Sequence, residues 1–415
     1  MELQLTSQLH ELLSRKTIKK LQVIPDSQID DDPTLADFFK ATTFPNFQDP
    51  NTNTLDILIS KKQLVKIFIE CHKVIDDHIS NTDGLQHFSR DFINSDLMTL
   101  YSATLGIWLV TPEEHRALIL NESMLIKLLS NSMISEHQDT LYRHFEILSG
   151  YLTSTIAKTN KSSSLWLYFK KTLIRLFNNL SSVHEQSSNT AKDQLFVNCI
   201  ETILHSIRSH PRNYYAGSTL RFLIAVLRHS GEFEMLRIYY SKILTYLKKD
   251  GLNDYSIWLV FLQLCVNVDS EEYFIAEYNR LCEPHKKNNA PEWHNVSKNR
   301  CFNNEVNLGV VLYQDLKNLL VGSELASYSA WYVFTFVSTR SDFHDGKHRK
   351  DGFEILDFFE EQVAVFENSN NVKIDTKTAQ LVSSDGGIVD LSSDLLLQEK
   401  FNLVLIFKRL LNKSW

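Results

Sequence analysis

Apolar residues in this chain recur mostly at helical spacing. Leu141, Phe145, Leu148 and Leu152 stand at i, i+4, i+7 and i+11, one face of a 3.6-residue helix. Leu236, Tyr240, Ile243 and Leu247 repeat that stripe, as do Leu308, Leu312, Leu316 and Leu319. Each stripe runs through a short polar turn into a segment reading Ser, apolar, Trp, two variable positions, Phe: Ser164 to Phe169, Ser256 to Phe261 and Ser329 to Phe334. The predicted unit is helix, tight turn, helix, with that Ser as the N-cap of the second helix. Weaker copies lead from Leu97, Tyr101 and Trp108 to Pro112, from Phe196, Ile200 and Ile203 to Pro211, and from Phe274, Tyr278 and Leu281 to Pro291. The Trp-equivalent positions are then 118, 166, 217, 258, 293 and 331, separated by 48, 51, 41, 35 and 38 residues. Such an array buries its apolar faces by stacking neighbours, so the Trp and Phe read as seam fillers that specify architecture rather than chemistry.

The ends break the pattern. Residues 1 to 54 hold a short amphipathic piece and an acidic stretch through Pro25, Asp30, Asp31, Asp32 and Pro33, which reads as a peripheral arm. Residues 55 to 340 form the repeat region. Residues 341 to 415 hold a polar loop, a helix carrying Phe353, Leu356, Phe359, Val363 and Phe366, a linker through Ser383 to Gly387, and a last helix with Leu395, Leu403, Ile406 and Leu410 that caps the repeats. The fold class expected is all-α, an α-solenoid or right-handed superhelix of about six helical hairpins.

Composition agrees. Only 12 Gly and 8 Pro in 415 residues disfavour a sandwich, a barrel or a Gly-rich nucleotide fold, while 25 Phe and 15 Tyr can fill a large core. A net charge of −7 argues against a partner bound by phosphate neutralisation, so no nucleic acid is expected. The five cysteines (Cys71, Cys199, Cys265, Cys282, Cys301) are scattered and never form C-x-x-C, which suggests reduced core residues rather than disulfides or a zinc knuckle. With no membrane span and no apolar leader, a soluble cytoplasmic protein is expected.

His210-Pro211-Arg212-Asn213-Tyr214-Tyr215-Ala216 resembles the repeat of protein prenyltransferase alpha subunits, Pro-x-Asn-Tyr-x-Ala-Trp-x-x-Arg, and the Ser-apolar-Trp segments resemble its variant. The likeness runs over residues 92 to 340. The Arg after each Trp is replaced by Phe169, Leu220, Phe261, Val296 and Phe334, and Gly217 stands for one Trp, so the chain looks most like the divergent alpha-subunit-repeat-containing protein 1 branch. The resemblance implies the alpha-like half of a heterodimeric geranylgeranyltransferase. It would wrap a Rab-type beta subunit and help add a geranylgeranyl group to a farnesylated SNARE-type acceptor. No cofactor is implied on this chain; zinc and geranylgeranyl diphosphate are expected on the beta subunit.

By the same resemblance, a lysine five residues before the Trp of the second repeat lends charge to the departing diphosphate, which matches Lys161, and a tyrosine three before the Trp of the third approaches it, which matches Tyr214. The plain alternatives are a solvated lysine in a polar turn and a turn tyrosine packed on the next hairpin. No H-E-x-x-H, G-x-S-x-G, P-loop or G-x-G-x-x-G occurs. His344 and His348 read as parts of a polar loop, and Lys170 with Lys171 as a solvated face or an addition to an acidic-substrate surface. The alternative function, motivated by the lost Arg series, is a non-enzymatic α-solenoid protein-interaction scaffold.

Overall fold

The computed structural model describes residues 3–15, 18–49, 54–81, 94–131, 134–182, 186–265, 270–282, 319–320, 327–339, 351–391 and 394–412. The chain is predominantly α-helical, as its apolar periodicity predicts. It divides into two units, residues 1–220 with 276–289 and residues 221–275 with 290–415.

The first unit opens on α1 (Gln4–Leu13), β1 (Ile18–Ile24), α2 (Asp26–Asp31), α3 (Pro33–Ala41), β2 (Asn46–Asp49) and β3 (Thr54–Ser60). The strands form one sheet in the order β1-β3-β2, with β1 parallel and β2 antiparallel to β3. The central strand is an apolar run, and Ile57 and Ile59 are fully buried in it. Residues 1–54, which read in sequence as an arm, thus supply two strands of a sheet, and α1 buries Leu9 and Leu13 completely. Close helix packing around α1 depends on two glycines. A Cβ on Gly106 of α5 (Asn94–Val110) would lie 2.4 Å from Cys71 Sγ on α4 (Lys61–Asn81), and one on Gly150 of α7 (Ile134–Leu152) would lie 2.4 Å from Leu13 Cδ2.

Helical hairpins follow: α5 with α6 (His115–Asn131), α7 with α9 (Ser163–Ser182) through the short α8 (Ala157–Asn160), and α10 (Gln186–Ser209) with α11 (Tyr214–His229). Next come α12 (Phe233–Tyr246), a π-helical turn Leu247–Gly251, α13 (Tyr255–Cys265) and α14 (Ser270–Cys282). Five of the six Trp-equivalent positions lie in described residues, and they share one backbone relationship. The amides of Leu118, Trp166, Gly217, Trp258 and Trp331 each donate to the carbonyl four residues back, that of Glu114, Ser162, Asn213, Asp254 and Ser327. Each helix starts one residue after that carbonyl, so these positions stand at the same place in the first turn of their helices. The predicted caps are corrected. Ser162 Oγ accepts from Leu165 N at 3.1 Å and Asp254 Oδ1 from Ser256 N at 3.0 Å, two residues before the expected Ser164 and Ser256.

The three tryptophans are core residues, as predicted. Trp166, Trp258 and Trp331 are buried, and each meets the Phe three residues on edge-to-face, with ring centroids 5.6 to 6.1 Å apart. Trp166 Nε1 donates to Asn160 O and Trp258 Nε1 to Leu252 O, both at 2.8 Å and both six residues back, which ties the indole to its own turn. Trp293, the stripe Leu308 to Leu316, Cys301, His344 and His348 lie outside the described residues.

The second unit ends in α15 (Tyr328–Thr339), α16 (Asp351–Asn370), β4 (Val372–Asp375), β5 (Gln380–Ser383) and α17 (Leu395–Leu411). Trp331 packs on Phe407 of α17 at 4.8 Å and on Phe359 of α16 at 5.7 Å. The segment read as a linker through Ser383 belongs instead to an antiparallel β-hairpin. Asp375 Oδ1 accepts from Lys377 N at 2.8 Å, and Ala379 takes a left-handed φ of 55°, which together turn the chain back on itself.

Candidate functional site

The two residues singled out in sequence, Lys161 and Tyr214, both lie on the surface of the first unit, at adjacent hairpin turns. Beneath them runs a buried amide pair. Asn160 Nδ2 donates to Leu152 O at 2.6 Å, and its Oδ1 accepts from Asn213 Nδ2 at 2.7 Å. Asn213 Nδ2 also reaches Asn160 O at 3.1 Å and Ser206 Oγ at 3.2 Å, while Asn213 Oδ1 caps α11 through Ala216 N at 3.2 Å. The Asn of the Pro-x-Asn-Tyr segment therefore ties one hairpin turn to the next. Lys161 is exposed and its Nζ donates to Pro211 O at 3.3 Å, a third tie between the turns. Tyr214 is the first residue of α11 and 72% exposed; its ring meets that of Tyr215, 40% exposed, edge-to-face at 5.6 Å.

Glu113 closes the first of these turns from outside. Its carboxylate accepts from Ser162 Oγ at 2.6 Å and from the hydroxyls of Ser163 and Ser164. Burial alone would raise its pKa, but the hydrogen bonds from Ser162 and Ser164 outweigh that and hold it below the usual carboxylate range. Lys170 and Lys171 are not an open basic face: Lys170 pairs with Glu277 and Lys171 with Glu122.

The titratable groups deeper in this unit are sealed. His10 Nε2 lies 2.7 Å from Tyr151 Oη, and His144 Nδ1 lies 2.8 Å from Tyr101 Oη. Burial foremost, with Arg143 acting on His10 and Arg175 on His144, lowers both imidazoles to about 3, so both are neutral at pH 7. Lys19 of β1 and Glu146 of α7 form an ion pair whose side chains are 0% and 5% exposed. Among the described residues no group of three His, Cys, Asp or Glu side chains is placed to hold a metal ion, and no helix is long and apolar enough to cross a membrane.

One open concavity stands out, a feature that sequence reasoning missed. A cleft of about 580 Å³ runs along the outer face of α6, lined by Ile119, Glu122, Ser123, Ile126, Leu129 and Ser130, with His137 and Arg175 at its walls. Ile119 is 66% and Ile126 48% exposed. The signal was there: Ile119, Ser123, Ile126 and Ser130 are spaced as i, i+4, i+7 and i+11, opposite the buried stripe of Leu118, Met124, Leu125 and Leu128. One wall is fixed by charge. Glu122 accepts from Lys171 Nζ at 3.0 Å, Arg175 Nη2 at 3.1 Å and Tyr168 Oη at 3.1 Å, and these partners lower its pKa against the opposing effect of burial.

Residues 1–153 match the ECM9 N-terminal domain and residues 165–285 the ECM9 middle domain. Protein ECM9 of Saccharomyces cerevisiae (strain ATCC 204508 / S288c) is 23% identical over 197 residues, 47% of this chain and 46% of that protein, so the chain aligns with about half the length of this relative. No solved structure matches the chain. These matches overturn the resemblance to prenyltransferase alpha subunits, and with it the reading of the chain as the alpha-like half of a geranylgeranyltransferase. The reason is physical. The residues that carried the likeness do packing work that any helical hairpin requires: an Asn that caps a helix, and an indole that donates to its own turn. The diphosphate roles given to Lys161 and Tyr214, the beta-subunit partner and its zinc had no other ground in the sequence.

Proposed function

We propose, from the premise that this chain carries the N-terminal and middle domains of the ECM9 family, that it works as a partner-binding helical scaffold, with the α6 cleft as a docking groove for an amphipathic helix of another protein. The observation that carries this is the outward stripe of α6. A surface helix gains nothing in folding from holding Ile119 and Ile126 in water, and exposed apolar stripes at helical spacing mark docking faces. Ser123 and Ser130 between them are small enough for a second helix to approach closely. At the cleft wall Arg175 is 27% exposed, so a carboxylate on the docking helix has a fixed cation to meet beside the apolar floor.

The test places a photo-crosslinking residue at Ser123 in one protein and Ile126→Glu in another. The reading predicts that Ser123 crosslinks to an apolar helical segment of a stoichiometric partner, and that Ile126→Glu abolishes this partnership without lowering the thermal midpoint. Equal recovery of the partner with both isoleucine and glutamate at position 126 refutes it.

A further inference from the structure

A second surface of the same unit, carried by different residues, has its own chemistry. The equivalent positions just before the four helix caps Glu114, Ser162, Asn213 and Asp254 are Glu113, Lys161, Arg212 and Asn253. Cations therefore stand at two adjacent turns, the same two that Lys161 Nζ and the Asn160–Asn213 pair join. Lys158 is exposed one turn earlier on α8. Thr155, which follows α7, is hydrogen bonded to Leu21 and Val23 of β1, so the edge strand with Lys20 adjoins the same face. His205 and His210 at the end of α10 lie within reach of these charges, His205 of Lys20 and Arg208, His210 of Lys161. The carboxylates that face this cluster are Glu201 beside His205, Asp56 opposite Lys20, and Glu113, which is taken up in its serine cage.

Two further features set the turn apart from an ordinary solvated face. Tyr214 holds its ring in water, 72% exposed, with Tyr215 across it. Arg212 takes a left-handed φ of 60°, a conformation in which Gly is the unstrained residue. The chain thus accepts backbone strain at an exposed arginine two residues before Tyr214, and strain of this kind collects at sites that use it. Tyr and Arg are also the side chains enriched where proteins meet.

We propose that the face formed by Lys158, Lys161, Arg212, Tyr214 and Tyr215 binds an acidic polypeptide segment that carries aromatic side chains, its carboxylates meeting the cations and its rings packing on the two tyrosines. Nucleic acid is the other polyanion. It is disfavoured because the cations are few and confined to two turns, whereas a phosphate backbone is held by a longer run of them, and the chain as a whole carries −7. The inference rests on the reading of the chain as a binder, yet it uses none of the α6 residues.

The experiment uses the full chain, a fluorescein-labelled dodecapeptide of four Glu-Glu-Phe repeats, and a twelve-residue oligothymidylate of the same charge sign. Peptide binding by fluorescence anisotropy is expected to weaken at least tenfold in the double variant Lys161→Glu/Arg212→Glu and in Tyr214→Ser/Tyr215→Ser, and to weaken with rising salt. Arg212→Gly relieves the strain while removing the charge, so it should lose at least threefold in affinity with a thermal midpoint no lower than that of the parent chain. Peptide affinity that is immeasurable in the parent, or unchanged across these variants, overturns the proposal. So does an oligothymidylate that binds more tightly than the peptide and responds to the same substitutions. None of these outcomes touches the α6 cleft, whose own test is read at Ser123 and Ile126.

Discussion

The side-chain amide of Asn213 donates to the side-chain oxygen of Asn160 at 2.7 Å, and both residues are at most 1% exposed. They sit at the turns of successive hairpins, so the pair links the end of α7 to the start of α11. Asn160 uses its donor on Leu152 O, and Asn213 uses its acceptor on Ala216 N. Removing either partner strands several buried groups in a setting that water cannot reach.

Asn213→Ala should therefore cost more than a surface cap. Loss of an N-cap is worth about 1 kcal/mol, and each buried group left unsatisfied costs about 1–3 kcal/mol more. A total of about 3 kcal/mol by urea denaturation is expected, with Asn160→Ala similar. The double variant should fall short of the sum of the two, because the pair is lost only once. Strict additivity would show that the two amides act independently.

Two buried histidines set the response to acid. The neutral forms of His10 and His144 are favoured by burial down to about pH 3 in the folded chain, whereas both titrate near 6.5 when unfolded. Between these values the unfolded chain binds protons that the folded chain refuses, so stability is full above about pH 6.5 and falls as pH drops toward 3. Each histidine contributes a slope of up to about 1.4 kcal/mol per pH unit in that window. His10→Gln, which keeps a partner for Tyr151, should flatten the slope of unfolding free energy against pH by about one proton; an unaltered slope would remove His10 from the account.

Much of this fold was legible in the sequence, and the reasons differ from place to place. Trp166, Trp258 and Trp331 were readable because a buried indole followed by Phe three residues later leaves a spacing that recurs three times along the chain. The cap ahead of Trp166 was misplaced by two residues because Ser162, Ser163 and Ser164 offer three equivalent hydroxyls, and only the position of Glu113 across the turn sorts their roles. The sheet was missed because β3 runs directly into α4, so the apolar residues of Leu55 to Ile59 merge with a helical stripe. The site was least legible. Asn213 and Tyr214 look like signature residues, but one is an internal tie and the other a solvent-facing ring, a distinction that burial alone reveals. The α6 stripe escaped notice because exposed isoleucines look like core residues until the opposite face is known to be the buried one.

The Lys19–Glu146 pair makes a different demand. Burial lowers the Lys19 pKa, and the attraction of Glu146 and the hydrogen bond to it oppose that effect. Lys19→Met takes the cation away from a buried carboxylate and should cost about 3–5 kcal/mol. Lys19→Met with Glu146→Leu should recover most of that loss, since two well-packed apolar side chains replace a buried pair at little net cost. Chemical denaturation of the three variants checks this, and a double variant no more stable than Lys19→Met would show that the pair holds β1 on α7 by more than charge balance.

Arg212 is where stability and binding should part. Its φ of 60° is one that a side chain with a Cβ adopts at a cost of about 1–2 kcal/mol, and Gly adopts without strain. Part of that gain is offset, because Gly also frees the unfolded chain by roughly 0.4–1 kcal/mol. Arg212→Gly is therefore expected to stabilise the first unit by about 0.5–1 kcal/mol, while Arg212→Ala, which keeps the Cβ and the strain, should change stability by less than about 0.5 kcal/mol. Urea midpoints of the two variants distinguish the cases. A destabilised glycine variant would mean that the arginine side chain does structural work in the turn, and the strain could then no longer be ascribed to the surface that it serves.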